Sequence, residues 1–172
     1  MFRKTFLCLF LVPLLCGCGD GNGMPANLPQ TSVSRQASDF ELIASTTKQR
    51  FSRGELIPIT LQVTNKSAAA RNVVFSASST GAYVVTQGST EIIRGQRAGG
   101  GATTPRTLQP FEQYSIELQW NQNDPQGNPV PAVRYTMRAY MPVILVDGVQ
   151  YTYAYAAQAD LYTESLDVVI EN

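Results

Sequence analysis

The chain has 172 residues, a formal net charge of zero and no histidine. The missing imidazole removes the commonest general base, the usual zinc ligand and the usual pH switch. The balanced charge leaves no basic footprint for nucleic acid.

The first residues are Met1-Phe2-Arg3-Lys4, followed by the apolar run Thr5 to Leu15. Positive charge ahead of a short apolar stretch is the layout of a secretory signal. The run falls short of the ~20 apolar residues that span a bilayer. It ends Leu15-Cys16-Gly17-Cys18, which resembles the lipobox of bacterial lipoproteins. Cys18 follows Gly17 and fits the lipid acceptor, whereas Cys16 follows bulky Leu15 and does not. Residues 1–17 are thus expected to leave as the signal peptide, with Cys18 as the lipid-bearing first residue of the mature chain.

Cys8, Cys16 and Cys18 are the only cysteines. Two leave with the signal and the third is the anchor, so no thiol remains for a disulfide or for Cys-based catalysis. Cleavage removes Arg3 and Lys4 but no acid, which moves the net charge from 0 to −2. With no basic patch for anionic lipids, membrane attachment rests on the acyl chains.

Residues 18–38 are rich in Gly, Pro, Asn and Ser without an apolar period. They read as the lipidated cysteine and a flexible tether. From Asp39 to Asn172 short alternating segments recur between turn residues, an all-β texture. Phe40–Ala44 is a first strand. In Glu55–Thr64 the residues Ile57, Ile59, Leu61 and Val63 share one face, and Pro58 suits an edge or a strand start. Asn72–Ala77 follows, then Ala82–Thr86 and Glu91–Arg94 as a hairpin around Gln87-Gly88-Ser89.

Gly95–Pro105 reads as a glycine-rich loop, with three consecutive glycines at 99–101. No Lys-Ser/Thr follows them, so they match no phosphate-binding fingerprint. Tyr114–Trp120 alternates again and directs Tyr114, Ile116, Leu118 and Trp120 inward. Val133–Val146 reads as one long strand, joined to Val149–Tyr155 through Asp147-Gly148, a strong hairpin signal. Ser165–Ile170 closes the sheet. The expectation is an all-β, immunoglobulin-like antiparallel β-sandwich of about eight or nine strands without a disulfide.

Phe51-Ser52-Arg53-Gly54-Glu55 through Val63-Thr64-Asn65 resembles the start of the BsuPI family, named for the intracellular proteinase inhibitor of bacilli. Leu108-Gln109-Pro110-Phe111-Glu112, Trp120, the polar run Asp124–Pro131 and Tyr135 are similar to that family's later parts. The likeness covers roughly residues 39–145. Phe111 stands where the family usually has Gly, and Val133-Arg134 replaces its Gly before Tyr135. The resemblance implies a sandwich fold and, as an activity, proteinase inhibition. It carries over no inhibitory residue.

The sequence offers few sites. Trp120 shares a strand face with Ile116 and Leu118 and reads as core. Asp124, Asp147 and Asp160 lack the alternating acids of a calcium loop, so no metal or cofactor is expected. No motif marks a catalytic residue, and a small sandwich with no clear cleft residues argues against paired carboxylates for glycosidic chemistry. Tyr151, Tyr153 and Tyr155 share one strand face. That face reads first as a half-buried sheet surface and second as a contact surface, since Tyr favours both. Arg97 and Arg106 flank the glycine-rich loop, the most presentable segment for a protease cleft.

These features point to a non-enzymatic envelope lipoprotein whose sandwich binds a protein partner. The alternatives are an inhibitor of an envelope or extracellular protease, and a structural subunit of an envelope assembly. Gly19 after the acceptor cysteine favours the outer membrane, facing the periplasm, over retention at the inner membrane.

Overall fold

The computed structural model describes residues 31–37, 39–76, 79–98, 101–150 and 161–172. The expected signal peptide, Cys18, most of the expected tether and Tyr151, Tyr153 and Tyr155 lie outside the described residues.

Alternation of apolar and polar residues builds two facing sheets. The first contains β1 (Ser32–Ala37), β2 (Phe40–Ser45), β4 (Ile57–Asn65) and β9 (Gln113–Trp120), in that spatial order. In β4, Ile57, Ile59, Leu61 and Val63 are buried while the residues between them are half-exposed. Opposite them on β9 lie Trp120, Leu118, Ile116 and Tyr114. The second sheet runs β3 (Arg50–Ser52), β13 (Leu166–Glu171), β10 (Arg134–Tyr140), β6 (Ser79–Gln87) and β7 (Thr90–Ala98). Its inner face supplies Val85, Tyr135, Met137, Val168 and Ile170 to the shared core.

This is an immunoglobulin-like sandwich. In chain order β2, β4 and β9 take the places of strands A, B and E. On the facing sheet β3, β6, β7, β10 and β13 take those of A′, C, C′, F and G. The β3–β13 pair is parallel, while the other paired strands are antiparallel. Tyr135, at the start of β10, donates its hydroxyl to the Pro131 carbonyl at 2.8 Å. That is the tyrosine corner of such folds. The Tyr135 ring meets Trp120 edge-on, with centroids 5.3 Å apart, and Trp120 Nε1 donates to the Asn123 carbonyl at 3.1 Å. The buried indole thus keeps its polar atom satisfied.

A third sheet, β12 (Val149–Gln150), β11 (Val143–Val146), β5 (Arg71–Phe75) and β8 (Thr104–Leu108), adds Val73, Phe75, Leu108, Val143 and Val146 to the same core. Asp147 and Gly148, both at positive φ (49° and 78°), make the tight turn between β11 and β12.

Several expectations need correction. Thirteen strands occur among the described residues, more than eight or nine. Residues 32–37 are not tether: they form β1, which pairs with β2 and buries Val33. Backbone pairing along a sheet edge holds this polar strand, so side-chain pattern alone hides it. The long strand 133–146 breaks at Met141-Pro142. Proline lacks the N–H that would continue the ladder, and the chain crosses there from the second sheet to the third. Gly95–Pro105 is not all loop: β7 extends to Ala98 and β8 begins at Thr104.

Candidate functional site

Two sheet edges meet on one side of the sandwich. β9 ends the first sheet and β7 ends the second. Between them a shallow cleft of 280 Å³ is lined by Tyr83, Gln96, Arg97, Glu117, Leu118 and Gln119. Its floor is the Tyr83 ring, which bridges the sheets by donating its hydroxyl to the Gln119 carbonyl at 2.9 Å. Burial pushes the Tyr83 hydroxyl up to about 12, so it stays a neutral donor at physiological pH.

The ring fits because its cross-strand neighbour is Gly95. A Cβ at Gly95 would lie 2.1 Å from Tyr83 Cζ and 2.3 Å from its hydroxyl oxygen. Gly95→Ala must therefore displace the ring and break the bridge. We expect it to cost about 1–3 kcal/mol, read as a lower denaturant midpoint at unchanged m-value. An unchanged midpoint would mean that the ring has room to move.

The walls of the cleft carry opposite charges. Glu117 accepts from Thr60 Oγ1 at 2.9 Å. Arg97 is exposed, and no ion pair reaches it among the described residues. The outer backbone edge of β7, nine residues long, has no neighbouring strand among the described residues. Such an edge can accept an extended chain by main-chain hydrogen bonds. The register shifts within the β6–β7 pair are irregularities of the kind that limit indiscriminate pairing at an edge.

Arg97 and Arg106 do not share a loop. Arg97 stands on β7 and Arg106 on β8, in different sheets. Arg106 lies 4.2 Å over the Tyr114 ring and donates to Glu112 at 3.1 Å. The backbone N–H of Gln109, and then Arg106, hold the Glu112 carboxyl below its ordinary range.

A second cluster escaped sequence reading. On the outer face of the five-stranded sheet Tyr140 and Tyr162 stack with centroids 4.5 Å apart. Arg94 lies over Tyr140 and Arg138 over Tyr162. Thr163 N donates to the Ala139 carbonyl at 2.9 Å and straps this segment to β10. Burial raises the Tyr162 hydroxyl, opposed by the hydrogen bond from Arg94. No sequence spacing links Tyr140 to Tyr162, because the chain between them leaves the sheet. Among the described residues no group of three acidic, Cys or His side chains could hold a metal ion.

No family model matches the chain, and no curated protein matches it. Among solved structures it is similar to a β-glucosidase from Listeria innocua in complex with glucose, at 14% identity and a TM-score of 0.44, over 81% of this chain and 16% of that one. It is similar to an alkylpurine DNA glycosylase from Pseudomonas fluorescens bound to DNA containing an abasic site analogue, at 13% identity and a TM-score of 0.40, over 83% and 31%. A third is a CARDB domain from Pyrococcus furiosus in complex with di-metal ions, at 12% identity and a TM-score of 0.36, over 74% and 87%. The chain thus spans about a sixth of the glucosidase it matches. None of these likenesses bears on activity.

Proposed function

We propose that this protein is a lipid-anchored envelope lipoprotein whose immunoglobulin-like domain binds another protein without catalysing a reaction. Cys18 carries the lipid, and the domain faces the periplasm from the outer membrane. The observation that carries the binding reading is the open edge of β7, with exposed Arg97 beside the β7–β9 cleft. Main-chain groups of an added strand would supply affinity there, and Arg97 would select a carboxylate on it.

Membranes solubilised in mild detergent test this reading. The lipoprotein is expected to migrate in a protein complex larger than its own detergent-bound monomer. Migration as a lone monomer would count against a stable partner. A turnover number that one carboxylate substitution removes would contradict the non-enzymatic reading.

A further inference from the structure

Phe111 is held in the left-handed region at φ 62°, a conformation that costs a bulky L-residue. Its side chain is 65% exposed, so packing does not offset the strain. The turn around it is firmly fixed. Phe111 N donates to the Asn65 carbonyl at 2.8 Å, and Glu112 N to the Gln109 carbonyl at 3.0 Å. The Glu112 carboxylate also accepts from Gln109 N at 2.8 Å. The buried Asn65 amide ties this turn to the neighbouring loop 66–70, donating to the Ala69 and Gln109 carbonyls at 2.8 and 3.1 Å. The backbone that carries the ring is therefore preorganised.

Pro110 and the stretch Ala68-Ala69-Ala70 are exposed at the same end of the sandwich. Val149, also 65% exposed, sits on the hairpin that the Arg71–Asp147 ion pair, at 3.0 Å, joins to this end. The basic residues around the tip are neutralised within the chain: Lys66 by Glu41, Arg71 by Asp39 and Asp147, and Arg106 by Glu112. Such a rim exerts no net pull on anionic lipid headgroups. An exposed aromatic ring on a fixed turn, inside a charge-paired rim, is instead the makeup of a protein-binding hot spot. The direction of the chain agrees. β1 runs from Ser32 to Ala37, and Ala37 pairs with Phe40, itself opposite Asn65. The tether joins at Ser32, about 17 Å along the strand from the Asn65 level. The tip thus lies at the end of the domain opposite the point where the chain enters at Ser32.

We propose that this Phe111 tip docks an envelope protein by inserting the ring into an apolar pocket on that partner. The proposal rests on the protein-binding reading above and adds a second surface to it. A photo-crosslinking amino acid placed at position 111, 149, 97 or 56 of the full lipoprotein, in its own membranes, tests it. Leu56 is 53% exposed and lies at the opposite end of β4. Positions 111 and 149 are expected to give one protein adduct of the same mass, and position 56 none. Excess Cys18→Ser protein, full chain without the lipid, should compete that adduct away. The same protein carrying Phe111→Gly should not compete, although it should melt at or above the parent temperature because glycine accepts the positive φ. A protein adduct from 97 or 56 with none from 111 would overturn the tip and leave protein binding standing. Lipid adducts alone at 111, full competition by the Phe111→Gly protein, or a lower melting temperature for it would also overturn the tip. No protein adduct from any of the four positions would remove both readings.

Discussion

Asn65→Ala is expected to cost the domain about 3 kcal/mol or more, a large share of the 5–15 kcal/mol typical of a folded protein. Asn65 is fully buried at the end of β4. Its amide donates to the carbonyls of Ala69, Leu108 and Gln109 at 2.8, 3.0 and 3.1 Å. Its side-chain oxygen accepts from the backbone N–H and the hydroxyl of Ser67 at 3.0 and 2.8 Å. One side chain therefore joins the 66–70 loop, the end of β8 and the turn before β9. Alanine would take this donor from the Leu108 carbonyl, away from water, at about 1–3 kcal/mol, and would remove the other side-chain bonds at about 0.5–1.5 kcal/mol each, although the Gln109 and Ala69 carbonyls keep Glu112 N and the Ser67 hydroxyl. Asn65→Asp keeps the volume but sets an oxygen where three carbonyls need a donor, and should be as damaging. Denaturant unfolding of both variants checks this. A loss below about 1 kcal/mol, the size of an ordinary substitution, would mean that the carbonyls find other partners.

How legible these features are depends on what creates them. Strands with one buried face are written in their own residues: Ile57, Ile59, Leu61 and Val63 announce β4, and Asp147-Gly148 announces its turn. Trp120 was readable as core because strand parity joins it to Ile116 and Leu118. Polar edge strands are not readable in this way. β1 offers Val33 to the core, and β8 begins Thr-Pro-Arg, so ladder partners rather than side chains define both. The break at Pro142 was visible as a residue, but its consequence, a change of sheet, depends on what β5 and β6 offer as neighbours.

The cleft shows the same division. Arg97 could be singled out from the sequence, but its facing residues Glu117 and Leu118 belong to another sheet. Only the sandwich topology brings them together. Arg106 looked like its equal from loop position. It proves to be held by Tyr114 and Glu112, contacts across strands that no local spacing encodes. The strain at Phe111 has one faint signal in the sequence: the family it resembles usually carries Gly there, the residue that accepts a positive φ. The proposed anchor is the reverse case, for it rests entirely on Leu15-Cys16-Gly17-Cys18.

That anchor supports the second large prediction, Cys18→Ser. The proposed lipid attaches through a thiol, and Cys18 is the only cysteine beyond residues 1–17, the expected signal. A serine hydroxyl cannot replace it as acceptor. Each buried CH₂ of the acyl chains contributes about 0.8 kcal/mol of membrane affinity, so three chains anchor stably where one alone is marginal. Among the described residues no helix is long and apolar enough to cross a membrane. Radiolabelled palmitate incorporation with membrane fractionation of the parent and the Cys18→Ser protein is therefore the most direct measurement. The lipoprotein account predicts that the substitution abolishes labelling and moves the protein from the membrane to the soluble periplasmic fraction. A Cys18→Ser protein that stays membrane-bound with unchanged labelling would contradict it.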